Sequence, residues 1–367
     1  MYRRNLAILL LFIIGAGIVG WVFTRVRAEP VNEITIKWST SGHADRTSPA
    51  FRAWDENDPP VIPPVCAKCH STLGYLDFIG EDGTEPGRVD NAPPIGTTVQ
   101  CVACHNPSSM AMTTVTFPSG VEIGDLNGQG NCLQCHQGRA STVQVNNAIE
   151  GQDPDAVLED QGFISVHYRP AAATRWGGEV SGAYEYPNRE YVEFFEHTRD
   201  YQQCSQCHDA HSLQIDPQEC APCHSNVVGV ADLRGIRDDD TDWSGRGETT
   251  QGVAVEIDTL WSRLYDAVRL YAAEVVGTPI VYSAGANPYF FIDTNGDGVA
   301  DPEETVGSNS YASWTPRLLR AAYNLHYMQM DPGGFAHNPR YMIQILHDSL
   351  ADLAEQVDVD MTGLIRP

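Results

Sequence analysis

Apolar residues recur along the C-terminal third with the 3.6-residue period of helices that bury one face. Leu260, Trp261, Leu264, Tyr265, Val268, Tyr271 and Val275 form one such stripe. Residues 315–330 and 338–357 form two more. Asn338 and Pro339 have the chemistry of an N-cap and a first helical position, so the last helix is expected to begin there. No period is sustained over residues 29–230. Gly and Pro clusters such as Asn91-Ala92-Pro93-Pro94-Ile95-Gly96 punctuate that stretch, which predicts loops joined by short helices. The pattern therefore predicts a mainly α fold with much irregular structure. It divides into a loop-rich domain over 29–230 and a C-terminal helical hairpin or bundle over 231–367.

The amino terminus carries a different signal. Arg3 and Arg4 precede an uncharged apolar run from Leu6 to Phe23, with Val26 and Ala28 placed as the small residues of a cleavage site. The run exceeds the roughly 7–15 residues of an export-signal core and approaches the roughly 17–25 that span a bilayer. Residues 1–28 thus read as a cleaved signal or a retained membrane anchor. Both readings place residues 29–367 outside the cytoplasm: periplasmic, on the cell surface or extracellular.

Charge narrows the function. The 367 residues hold 48 acidic and 23 basic side chains, a net charge of −25. A protein that tracks nucleic-acid phosphates needs the opposite sign, so that class is excluded. An acidic surface suits cationic partners.

The ten cysteines make five copies of one motif. They are Cys66-Ala67-Lys68-Cys69-His70, Cys101-Val102-Ala103-Cys104-His105, Cys132-Leu133-Gln134-Cys135-His136, Cys204-Ser205-Gln206-Cys207-His208 and Cys220-Ala221-Pro222-Cys223-His224. Disulfides or zinc would explain paired cysteines, but not a histidine after every pair. C-x-x-C-H is the attachment signature of c-type haem. Two thiols at this spacing add to the two vinyl groups of one porphyrin, and the adjacent histidine ligates its iron. Five covalent haems are expected, with His70, His105, His136, His208 and His224 as proximal ligands.

Seven of the 12 histidines remain. Five irons used only for electron transfer need five distal ligands, whereas an enzyme keeps one iron open. His43, His167, His197, His211 and His337 lie in loops or at helix boundaries, where the backbone can aim a ring at a porphyrin. They are the expected distal ligands. His211 follows His208 too closely to turn back easily on the same haem, so it is expected to reach a neighbouring one. His326 and His347 lie within predicted helices, and packing explains them.

Between the predicted helices, Asp293-Thr294-Asn295-Gly296-Asp297-Gly298-Val299-Ala300-Asp301-Pro302-Glu303-Glu304 matches the twelve-residue calcium loop. Asp293, Asn295, Asp297, the Val299 carbonyl, Asp301 and Glu304 would supply oxygen ligands, with Gly298 at the turn. A stretch starting at Asp240 fits the same register, with Gln251 in place of the last glutamate, and is a second calcium candidate.

The chain resembles exported bacterial and archaeal multihaem c-type cytochromes. The resemblance is carried by Ser41-Gly42-His43-Ala44-Asp45, the Cys66 motif running to Gly83-Thr84, and His167-Tyr168-Arg169-Pro170. It continues through His197, Cys204 to His211, the Asp293 loop and Phe335-Ala336-His337-Asn338-Pro339. It implies that histidines in these settings are distal ligands. It also implies an electron-transfer protein of low potential, because His/His ligation lowers potential relative to His/Met. Expected partners are other redox proteins or copies of the same chain, as a complex or filament subunit. The membrane is a further partner if the amino terminus is retained. The alternative is a reductase of nitrite, hydroxylamine or a sulfur oxyanion with one open-site haem.

Overall fold

The computed structural model describes residues 30–198 and 201–367. The expected signal or anchor at 1–28 lies outside the described residues. Among them, no helix is long and apolar enough to cross a membrane.

Three long helices organise the C-terminal half: α1 (Val253–Tyr271), α2 (Pro316–Met330) and α3 (Pro339–Leu353). Each packs against the other two. The stripe of α1 is buried through Ile257, Leu260, Leu264, Val268 and Tyr271. Its expected last member is not. The helix widens into a π turn over Ala272–Val276, and Gly277 ends it at φ +78°, leaving Val275 exposed. Asn338 and Pro339 begin α3 as expected, the Asn338 side chain accepting the Tyr341 N–H at 3.1 Å. Thr315 caps α2 in the same way through the Leu318 N–H.

The second helix is buried nearly all round rather than along one stripe. It lies in the middle of the fold, with α1 and α3 on one side and the 183–185 segment on another. Asn324 ties it to that segment by accepting from the Tyr184 N–H at 2.7 Å and donating to the Tyr184 carbonyl at 2.9 Å. Arg317, at the start of α2, is 4% exposed and meets Asp155, Asp352 and Glu355.

Apolar packing crosses the expected boundary at 230/231. Val115, Phe117, Leu133, Val145, Val166, Trp176 and Tyr184 belong to one apolar core with the three long helices. Residues 115–184 thus fold onto the helices from the far side of that boundary. Two short antiparallel hairpins flank this core. Strands β1 (Val115–Thr116) and β2 (Glu122–Ile123) form one, and β3 (Ile280–Tyr282) and β4 (Phe290–Ile292) the other. The stretch from 31 to 110 contributes few buried apolar side chains, among them Phe51, Ile62, Ala67, Tyr75 and Ala103, and these lie outside the shared core.

Candidate haem-binding site

Four of the cysteine pairs sit in helical turns: Pro64–His70, Cys101–Cys104, Gly130–Cys135 and Cys204–Cys207. A helical turn puts residues i and i+3 on one face, so both thiols of a pair point the same way. The following histidine is held against the turn. His105, His136, His208 and His224 each donate their backbone N–H to the carbonyl of the first cysteine, at 2.8–2.9 Å. All ten cysteines are thiols without a disulfide. Among the described residues, no three His, Cys, Asp or Glu side chains converge as ligands of a metal ion.

Each motif histidine faces one other histidine ring. Ring centroids are 5.8 Å apart for His70 and His167, 6.2 Å for His105 and His211, and 6.4 Å for His136 and His43. They are 6.4 Å apart for His208 and His337 and 6.1 Å for His224 and His197. An imidazole nitrogen binds a metal at about 2 Å. Two rings bound from opposite sides of one iron therefore have centroids about 6 Å apart. The separations fit a metal held between each pair. The five partners are the five histidines expected as distal ligands.

The free nitrogens are oriented by what holds the other ring edge. His70 Nδ1 lies 2.6 Å from the Ala50 carbonyl, His136 Nδ1 3.1 Å from that of Arg169, and His208 Nδ1 3.2 Å from that of Leu213. A carbonyl accepts only from N–H, which fixes the tautomer and leaves Nε2 as the lone-pair donor. Burial lowers the pKa of His70, His136, His197 and His208, and brings His43 and His167 to about 4. Neutral imidazole is the form that ligates. His337 differs. Burial acts to lower it, but the Asp331 carboxylate beside its Nδ1 outweighs burial and leaves it raised.

The backbone is bent to serve these rings. His167 has φ +72° and Arg169 φ +57°, a region that disfavours side chains other than glycine. Ser165 supports that bend: its hydroxyl accepts the His167 N–H at 3.0 Å and lies 2.9 Å from His326 Nε2. The other nitrogen of His326 meets the Tyr282 hydroxyl at 3.0 Å. His326 is therefore fully hydrogen-bonded and faces no motif histidine, in line with its expected packing role. His347 borders Asp348, 3.4 Å away.

His208 and His211 point to different partners because Asp209 folds the loop between them. Its Oδ1 accepts the backbone N–H of His211 and of Ser212, and its Oδ2 binds Lys37 at 2.8 Å. Neighbouring motifs also touch. The Cys135 thiol donates to the Lys68 carbonyl of the first motif at 4.0 Å, and Gln129, which precedes the third motif's helix, accepts the Cys204 N–H at 2.8 Å. The third motif thereby joins the first to the fourth. Asp209, Ser165 and Asp331 were not legible in the sequence, where each is one polar loop residue among many.

The expected calcium loop is closed by hydrogen bonds of its own, and its carboxylates do not converge on one point. Asp293, 5% exposed, accepts the Gly296 and Gly298 N–H groups at 2.7 and 2.9 Å. Asn295 Nδ2 lies 3.1 Å from both Asp297 Oδ2 and Asp301 Oδ2. Glu304, 3% exposed, uses Oε1 to accept from Thr294, while its buried Oε2 has no hydrogen-bond partner. A buried carboxylate oxygen without a partner fits a cation. The Val299 carbonyl accepts the Asp301 N–H at 3.0 Å, and Arg269 stands 3.9 Å from Asp293. The loop adjoins α1 through Arg269 and Tyr265 rather than the cysteine motifs. The second candidate, at Asp240, is closed around a cation of the protein itself. The Arg237 guanidinium donates to the carbonyls of Asp239, Thr241 and Gln251.

No family model matches the chain, and no solved structure matches it. Among curated proteins it is similar to two c-type polyhaem cytochromes of Geobacter sulfurreducens. It is 25% identical to OmcC over 89% of this chain and 47% of that protein. It is 26% identical to OmcB over 82% of this chain and 45% of that protein. The chain thus spans a little under half the length of these relatives. The distant homology supports a multihaem c-type cytochrome family and c-type haem as the cofactor.

Proposed function

We propose that the chain is an exported electron-transfer protein carrying five c-type haems. Cys66 and Cys69, Cys101 and Cys104, Cys132 and Cys135, Cys204 and Cys207, and Cys220 and Cys223 hold them covalently. His70, His105, His136, His208 and His224 are the proximal ligands. His167, His211, His43, His337 and His197, in that order, are the distal ones. Haem in this setting supplies one-electron redox chemistry at an iron with both axial positions filled.

The observation that carries the reading is the five-for-five match: every motif histidine faces another histidine at the separation of a shared iron. A reductase needs one motif histidine without an opposite ligand, and each of the five has one. The contacts of the third motif with the first and the fourth support close haem spacing, and the Asp209 loop brings the second and fourth motifs together. Donor and acceptor are other redox proteins or further copies of this chain, in a respiratory or extracellular chain of carriers, as a complex or filament subunit. The acidic surface favours partners that are locally cationic. One calcium ion in the Asp293–Glu304 loop belongs to the same proposal, supported by the orphaned Glu304 Oε2.

The test is the mass and the spin state of the purified chain. Five covalent haems and an oxidised spectrum that is low-spin throughout are expected. Four haems or fewer, or a high-spin ferric signal in the unmodified protein, would overturn it.

A further inference from the structure

We propose that Asp331 is a positioning residue that makes His337 a stronger donor than the other axial histidines. It thereby gives the His208/His337 haem the lowest potential of the five. The inference rests on the ligation proposed above.

The partners of the axial rings carry it. His70, His136 and His208 each place Nδ1 against a neutral backbone carbonyl. His337 places Nδ1 2.9 Å from both oxygens of Asp331. Asp331 is 4% exposed and also accepts the Gly333 N–H at 3.2 Å. Among the described residues, no Lys or Arg forms an ion pair with it. Its negative charge therefore meets His337 directly and reaches the His208 and His136 rings only from further away.

A second feature fixes the ring in that position. A Cβ at residue 333 would lie 2.6 Å from His337 Cε1, so the ring rests directly on the glycine backbone. Gly333 and Asp331 hold one ring edge between them, and Nε2 remains for the iron. An imidazole N–H that donates to a buried carboxylate gains electron density at its other nitrogen. That favours ferric over ferrous iron, and weak screening in the interior strengthens the effect of the fixed charge.

The experiment uses the full haem-loaded chain. Asp331→Asn should raise the lowest of the five midpoint potentials most, with a smaller rise at the His136/His43 haem, while Asp331→Glu should restore both. His337→Ala should turn one haem high-spin and remove the same low-spin resonance that Asp331→Asn displaces. If His337→Ala leaves every haem low-spin, the ligation reading and this inference fall together. If His337→Ala responds but Asp331→Asn moves no midpoint, or its largest shift is at one that is not the lowest, this inference alone falls. Should Asp331→Asn fail to fold, the unmodified chain decides by its near-infrared ligand-to-iron bands. One band of five at shorter wavelength supports the inference, and five alike overturn it.

Discussion

His211 faces His105 with ring centroids 6.2 Å apart and planes 12° from parallel. It does so although its own motif ends at His208, on the same loop. Asp209 accounts for this: by accepting the His211 and Ser212 N–H groups it turns the chain sharply, so two histidines of one loop point in opposite directions. Lys37 anchors the carboxylate from a helix at the start of the described chain. One loop therefore holds two sites in register.

His211→Ala is expected to make one haem high-spin, and that haem is the one on Cys101 and Cys104. Electron paramagnetic resonance of the single variant should show the new signal. Replacing Cys101 and Cys104 by Ala in the same chain should abolish it. Persistence of the signal in the triple variant would place His211 elsewhere.

His326 is expected to act on the His70/His167 site without touching an iron. Its loss leaves the Ser165 and Tyr282 hydroxyls short of a buried partner, at a cost of about 1–3 kcal/mol for each buried group left unsatisfied. His326→Ala should lower the melting temperature and broaden the low-spin signal that His167→Ala removes. His347→Ala should leave the spectrum unchanged. A new high-spin haem in His326→Ala, with His167→Ala silent, would reverse the assignment.

Calcium removal is expected to destabilise the β3–β4 region and its contact with α1. At free calcium a hundredfold above its dissociation constant, chelation removes about 2.7 kcal/mol. Glu304→Gln should remove most of that response while haem content stays at five. Calorimetry with and without chelator reads the effect, and superimposable traces would leave the loop as a turn.

Glu185 predicts a pH dependence. Burial pushes its carboxyl from an ordinary 4.5 up to about 7, although Tyr341 and Ser181 donate to it. The folded protein then holds this proton more tightly than the unfolded chain. Its contribution is fully present below about 4.5 and is lost as pH rises through about 7. Glu185→Gln, neutral throughout, should gain on the unmodified chain across that window by up to about 3 kcal/mol. Denaturation of both proteins at pH 5 and pH 8 measures it, and parallel behaviour would show that Glu185 titrates normally.

The helical third was legible because packing of long helices imposes a period, and Asn338-Pro339 marks a start that local chemistry alone dictates. The packing across residue 230 was not legible for the complementary reason. Val115, Leu133, Val145 and Val166 lie in a two-residue strand, two short helices and a loop, where no run is long enough to show a face. Their burial against α2 and α3 follows from the path of the chain, and no local pattern encodes that path.

The candidate site divides along the same line. Covalent attachment needs two thiols and a histidine within five residues, so the motifs are complete in the sequence and name the cofactor by themselves. The distal histidines could be selected by elimination, because the alternatives His326 and His347 carried helical periodicity. Which histidine faces which was decided only by the tertiary structure. Facing pairs such as His136 with His43 and His208 with His337 join parts of the chain that only the fold brings together. The inequivalence of the sites was also decided there. Asp331 is an ordinary acidic residue in sequence, and it becomes particular because the fold buries it against one imidazole where water cannot screen it.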